Sequence, residues 1–120
     1  MSARAAAAYL VVQGVAVFAW WLLMAVDETV REWFVGDRWE TLRLYAPADL
    51  LTAGVGSILV GVAIQRSSSW RPFAHAALIG AYAVATLVAV SWAFEPVARP
   101  LGVVLMVPSF AITAWTWRAA

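Results

Sequence analysis

The sequence predicts an all-α integral membrane protein, a four-helix bundle with an interfacial amphipathic segment between its first two long helices. Three observations carry this reading. Of 120 residues, 64% are hydrophobic and 12% are charged, well outside the composition of a soluble domain. Four apolar runs of bilayer length occur, Ala5–Val26, Ala46–Ile64, Pro72–Phe94 and Leu101–Trp117. The runs are continuous instead of alternating, which argues against a β-barrel; inside hydrocarbon a helix satisfies its own backbone. The last run spans about 26 Å as a helix, so its aromatic ends must help it reach both interfaces. One transmembrane domain over residues 1–120 follows, with no room for a soluble lobe.

Composition removes several function classes. There is no cysteine, so disulfides, thiolate metal sites and thiol redox chemistry are excluded. A net charge of +1 gives no case for nucleic acid. All eight basic residues are arginine, read here as a coding bias. The first run exceeds the roughly 7–15 residues of a signal-peptide core, and no small-x-small site precedes Asp27, so a retained helix is expected.

Orientation follows from the flanking arginines. One side carries Arg4, Arg66, Arg71 and Arg118 and no acid; the other carries Arg31, Arg38, Arg43 and Arg99 with all seven acids. The arginines tie, and the absence of acids on the first side assigns it to the cytoplasm. The expected location is a bacterial-type plasma membrane, multi-pass, with both termini cytoplasmic.

Along the first helix, Tyr9, Gln13, Ala16, Trp20, Met24 and Asp27 share one face at 100° per residue, while Leu10, Val11, Val15, Phe18 and Leu22 cover the rest. Gln13 is the helix's mid-membrane polar group and should turn inward to a partner. In Glu28–Tyr45, Val30, Trp33 and Phe34 cluster at helical spacing, Gly36 breaks the pattern, and Trp39 and Leu42 resume it. Acid–arginine pairs occur at Asp27/Arg31 and Glu40/Arg43. Such a tryptophan-rich amphipathic segment should lie flat at the outer interface, as an anchor or a lid.

The second long helix sorts cleanly. Asp49, Thr52, Ala53, Gly56, Ser57 and Val60 lie on one side, and Leu51, Val55, Ile58, Leu59 and Val62 on the other. Small residues permit close backbone approach, so the first side should face the other helices. Asp49 follows Pro47 in the first turn, where a carboxylate complements the helix dipole and an arginine partner would suit it. The competing reading is a ligand or proton site. Gln65–Arg71 is a short serine-rich turn beside anionic headgroups.

The third helix offers two interior stripes. One runs His75, Ile79, Tyr82, Thr86, Ala89, Ala93; the other runs Ala77, Gly80, Ala81, Val84, Val88, Ser91, Glu95. A central position with neighbours on two sides is expected. A single histidine cannot supply bis-histidine haem ligation, so His75 reads as a hydrogen-bonded or interfacial group. Glu95 sits at the disfavoured end of the dipole, with Arg99 its nearest compensation. In the fourth helix Gly102, Leu105, Ser109, Thr113 and Thr116 share a face, and Pro108 frees a carbonyl that Ser109 can help satisfy.

Together these stripes place Asp27, Asp49, Ser91 and Glu95 in the outer third, flanked by Trp20, Trp92 and Tyr45. Tyr9, Gln13, His75, Tyr82 and Thr113 fall in the inner third. The expected site is an outward-facing acidic and aromatic pocket under the Glu28–Tyr45 segment. Aromatic faces with carboxylates suit a cationic or amphiphilic guest. No metal and no cofactor are expected, and no zinc-protease, serine-hydrolase or phosphate-loop motif is present. The expected role is non-catalytic: binding a small amphiphile or lipid, or supporting a homo-oligomer or larger membrane complex. The alternatives are an enzyme acting on a lipid-like substrate, or a proton-coupled transporter; Gln13 stands where small four-helix exporters carry a glutamate. In layout alone the chain resembles sterol-isomerase-like and sigma-2-like bundles, and no motif matches residue by residue.

Overall fold

The computed structural model describes residues 1–94 and 100–120. Its helices are α1 (Ala3–Val26), α2 (Glu28–Phe34), α3 (Gly36–Gln65), α4 (Arg71–Ala93) and α5 (Pro100–Ala119), and no strand occurs among the described residues. α1, α3, α4 and α5 are each long and apolar enough to cross a membrane.

Local signals set the helix ends. Ser2 caps α1, its hydroxyl accepting from the Ala5 amide at 3.2 Å. Asp27 ends α1 in an extended conformation and at once caps α2, its carboxylate accepting from the Val30 amide at 3.1 Å. Asp27 is therefore a cap, in place of the expected side-chain pairing with Arg31. Gly36, at φ 55°, turns the chain out of α2 in a backbone region that suits glycine.

The connection differs from the single flat segment expected between the first two long helices. Only Glu28–Phe34 forms a separate helix; from Gly36 the chain is already the first part of α3. α3 begins as short 3₁₀ and α turns, then passes through a π-helical stretch at Leu50–Val55 before regular helix from Gly56. Its Glu40–Arg43 pair forms at 2.6 Å, with both side chains mostly exposed, and so contributes little to stability.

The Thr52 hydroxyl donates to the Ala48 carbonyl at 2.7 Å, the acceptor that the Thr52 amide would use in an α-helix. A π turn holds more residues than an α turn, so the facing pattern slips. Gly54 is buried where regular spacing had not placed it, and Thr52, expected inside, is exposed.

α3 ends in a Schellman arrangement: the Ser67 amide donates to the Ile64 carbonyl and the Ser68 amide to that of Ala63. Ser67 occupies the left-handed position at φ 50°, where a Cβ is unfavourable. Ser67→Gly should therefore raise stability by about 0.5–1 kcal/mol, read as a higher thermal midpoint in detergent. A lower midpoint would mean the serine hydroxyl outweighs the strain.

α1 packs chiefly on α3, α4 on α5, α3 on α4, and α1 on α5; α2 also touches α5. Ala6, Ala7, Leu10, Ala53, Val60, Ile64, Leu78 and Tyr82 form the central cluster. Leu10, expected on the outward surface, is fully buried, whereas Ala16 is exposed. The reason is that α1 touches two neighbours, so its covered arc is wider than one stripe. On α4 the His75–Tyr82–Thr86 stripe is buried, while Ala77, Gly80, Val84, Val88 and Ser91 of the other stripe are exposed. Leu105, expected inside α5, is also exposed; Thr113 and Thr116 are fully buried. Pro108 lies within α5, and the Ser109 hydroxyl donates at 2.7 Å to Leu105, one residue beyond the carbonyl that proline frees.

Candidate functional site

Two polar constellations emerge, one near the acid-bearing end of the helices and one in the interior towards the arginine-bearing end. At the acidic end, Asp49 Oδ2 accepts from the Trp21 indole Nε1 at 2.6 Å. The partner is a neutral donor on α1, where the sequence had suggested an arginine. Trp21 is buried and stands beside Trp20, ring centroids 5.0 Å apart and edge to face. Trp20 in turn meets Phe34 of α2 at 5.8 Å, and Trp21 meets Trp39 of α3 at 6.2 Å. The Arg31 guanidinium lies 5.2 Å from the Trp39 ring centre, so one aromatic face already holds a cation from α2.

This cluster gathers some of the predicted residues and not others. Asp49 and Trp20 belong to it, and Asp27 sits at its edge as the α2 cap. Tyr45 is 59% exposed, and the exposed Ser91 donates its hydroxyl to the Val88 carbonyl of its own helix. Glu95 and the Trp92 side chain lie outside the described residues. Sequence reasoning missed Trp21 and Trp39. An indole N–H is a donor that a part-buried carboxylate can recruit, and Trp21 is the neighbour of the predicted site residue Trp20.

Directly past Asp49 along α3, a cleft of about 200 Å³ opens between α3 and α4. Thr52, Gly56, Leu59 and Val60 form one wall, and Ala74, Ala77 and Leu78 the other. Small side chains create it: a Cβ on Gly56 would reach only 3.6 Å from Leu78. A space of roughly 150 Å³ already admits benzene when its walls are apolar, so this cleft can hold a short hydrocarbon segment.

The second constellation joins four helices. The Tyr9 hydroxyl of α1 donates to Gln13 Oε1. Gln13 Nε2 donates to Thr113 Oγ1 of α5 at 3.0 Å and lies 3.4 Å from Ser57 Oγ of α3. Ser57 and Tyr82 of α4 are 3.5 Å apart, at the limit of a hydrogen bond. The Thr113 hydroxyl donates to the Ser109 carbonyl at 2.6 Å, which fixes it as an acceptor towards Gln13. Below this, His75 Nε2 is 2.9 Å from Thr116 Oγ1, whose own proton goes to the Thr113 carbonyl at 2.6 Å. The geometry therefore puts the imidazole proton on Nε2, and Nδ1 is left buried without a partner. The His75 ring also meets Trp117 at 5.1 Å.

Chemically this interior network is closed. Gln13 uses both ends of its amide, and an amide relays protons poorly, so the chain of groups acts as an interhelical clasp. Among the described residues no three His, Asp or Glu side chains converge to hold a metal ion. The fold thus defines a class: an all-helical protein with four helices of membrane-crossing length and a carboxylate beside an indole cluster. Comparison with protein-family models, with curated proteins and with solved structures found no match.

Proposed function

We propose that this chain is a multi-pass membrane protein, a four-helix bundle that binds a small amphiphile with a cationic head without transforming it. Membrane residence is supported by the surface. Only 17% of the apolar window of α4 and 11% of that of α5 is buried, leaving side chains such as Val84 and Leu87 over 60% exposed. A water-soluble monomer does not sustain so much exposed apolar surface. The long dimension of 44 Å matches a bilayer of about 40–45 Å with its headgroups. The end bearing Arg4, Arg66, Arg71 and Arg118 and no acidic side chain is assigned to the cytoplasm.

The observation that carries the binding role is the position of Asp49. It is a carboxylate on an apolar helix, held by an indole of α1 and three residues before Thr52, where the cleft wall begins. An ionisable side chain on a membrane-spanning segment is costly there, which supports a functional role for it. The head of the guest would rest on Asp49 and the tryptophan cluster, and its chain in the cleft. Dodecyltrimethylammonium titrated into nanodiscs, followed by tryptophan fluorescence, tests this. Asp49→Asn should weaken binding about tenfold, the order expected when one charge-assisted interaction is removed. Gly56→Leu, which fills the cleft, should also weaken dodecyltrimethylammonium binding. Equal binding of dodecyl sulfate, or an unchanged affinity in Asp49→Asn, would defeat the proposal.

One observation favours a second role. A Cβ on Gly80 would meet nothing within 4 Å, and Ala77 and Gly80 are small and exposed on one side of α4. Such a face suits close approach of another membrane helix, from a second copy or a larger complex. A stoichiometric partner that dissociates on Gly80→Trp, with ligand binding intact, would identify this role.

A further inference from the structure

The Arg31–Trp39 contact is a cation on an aromatic face, supplied from within the chain, with the guanidinium 5.2 Å from the ring centre. We infer that Arg31 is a built-in competitor for the Asp49 site, carried on α2 as a latch that a cationic guest must displace. The inference rests on the binding role proposed above for Asp49.

Two rings tie Arg31 to that site. Trp39 meets Trp21 at 6.2 Å, and the Trp21 indole donates to Asp49 Oδ2 at 2.6 Å. Arg31, the two indoles and the carboxylate thus form one continuous row from α2 to Asp49. A quaternary ammonium resting on this cluster needs the same kinds of partner, an aromatic face and a negative charge. Trp39 cannot give one face to two cations, and two cations on neighbouring surfaces repel each other. Guest binding and the Arg31 contact therefore oppose one another. Asp27, one turn before Arg31, uses its carboxylate on the Val30 amide at 3.1 Å, and the guanidinium rests on the ring instead.

Little holds α2 against the bundle. None of its 7 residues is buried. Phe34 meets the Trp20 ring at 5.8 Å, Arg31 meets Trp39, and the helix also touches α5. Each end turns at a single residue: Asp27 is extended at φ −117° and ψ 106°, and Gly36 stands at φ 55°. Segments with few buried contacts open at low cost, so α2 can lift while the long helices stay packed.

The test is calorimetric titration of dodecyltrimethylammonium into nanodiscs carrying the intact protein, referenced to empty nanodiscs. Arg31→Gln should bind about fivefold more tightly than the unaltered protein, the order expected when one competing cation–π contact is removed. In a Trp39→Leu background the same substitution should change affinity by less than about twofold, because the contact it relieves is already gone. Should Trp39→Leu not fold, Trp39→Phe takes its place; its ring holds a cation less strongly, and the gain should fall between the two. Arg43→Gln removes an exposed arginine paired with Glu40 and should leave the affinity unchanged. Circular dichroism confirms that each variant keeps its helices. No gain in Arg31→Gln, an equal gain in Arg43→Gln, or the full gain without Trp39 would overturn the latch and leave the Asp49 reading standing. Absence of binding in both the unaltered protein and Arg31→Gln would overturn the two together.

Discussion

Gly14→Ala should be the most damaging single methyl addition in the α1–α3 interface. A Cβ at Gly14 would stand 2.5 Å from the Gly54 carbonyl oxygen and 2.6 Å from the Ile58 side chain. The first of these neighbours is backbone, which cannot rotate out of the way, so the helices themselves must separate. Overpacking of this kind costs about 1–3 kcal/mol, and the backbone clash places it at the upper end. Gly61 is the second such position, its Cβ lying 2.8 Å from the Ala7 carbonyl. Unfolding in dodecyl sulfate, followed by circular dichroism, measures the effect. Gly80→Ala is the matched control: with open space around it, the substitution should be neutral or stabilising by up to about 1 kcal/mol through helix propensity. Equal stability of the two variants would show that α1 and α3 are not in this close register.

The second large effect is expected at Gln13. Gln13→Met keeps the length of the side chain and removes both polar ends. The Tyr9 hydroxyl then has no acceptor, and Ser57 and Thr113 have no donor from α1. A single interhelical hydrogen bond in a membrane is worth about 0.6 kcal/mol on average, so one such bond alone would barely register. Here three contacts go together: Thr113 keeps its bond to the Ser109 carbonyl and Ser57 its neighbour Tyr82, but the Tyr9 hydroxyl loses its acceptor, and a buried group left without a partner costs about 1–3 kcal/mol. A destabilisation of about 2 kcal/mol is expected in the same unfolding assay. Adding Thr113→Val should recover part of it, because replacing both members of a pair by apolar groups is nearly neutral. A second substitution that costs as much as the first would show the two residues act independently.

The two sites were legible in the sequence to different degrees. Tyr9, Gln13, His75, Tyr82 and Thr113 were placed in one layer by counting residues from the helix ends, and the hydrogen bonds join members of that layer. This worked because rise per residue is regular and polar groups inside apolar helices are few. The outer site was less legible. Its carboxylate, Asp49, was found, but the donor it uses is Trp21, one residue from the Trp20 that the 100° rule selected. Adjacent residues differ by more than a quarter turn, and an indole is large enough to serve two directions. Tyr45 and Ser91 shared depth with Asp49 and face elsewhere, since depth along an axis says nothing about rotation around it.

By itself the sequence determined that four helices are long and apolar enough to cross a membrane, and which end carries the acids. Those properties follow from composition and run length, which are local along the chain. Tertiary structure decided which of two stripes on α4 is covered, that α3 begins at Gly36, and that Asp49 meets an indole. These depend on neighbours: a helix with small residues on several sides has more than one surface fit for packing. The π-helical stretch at Leu50–Val55 adds to this by shifting the downstream register of α3, an effect that residue periodicity does not encode.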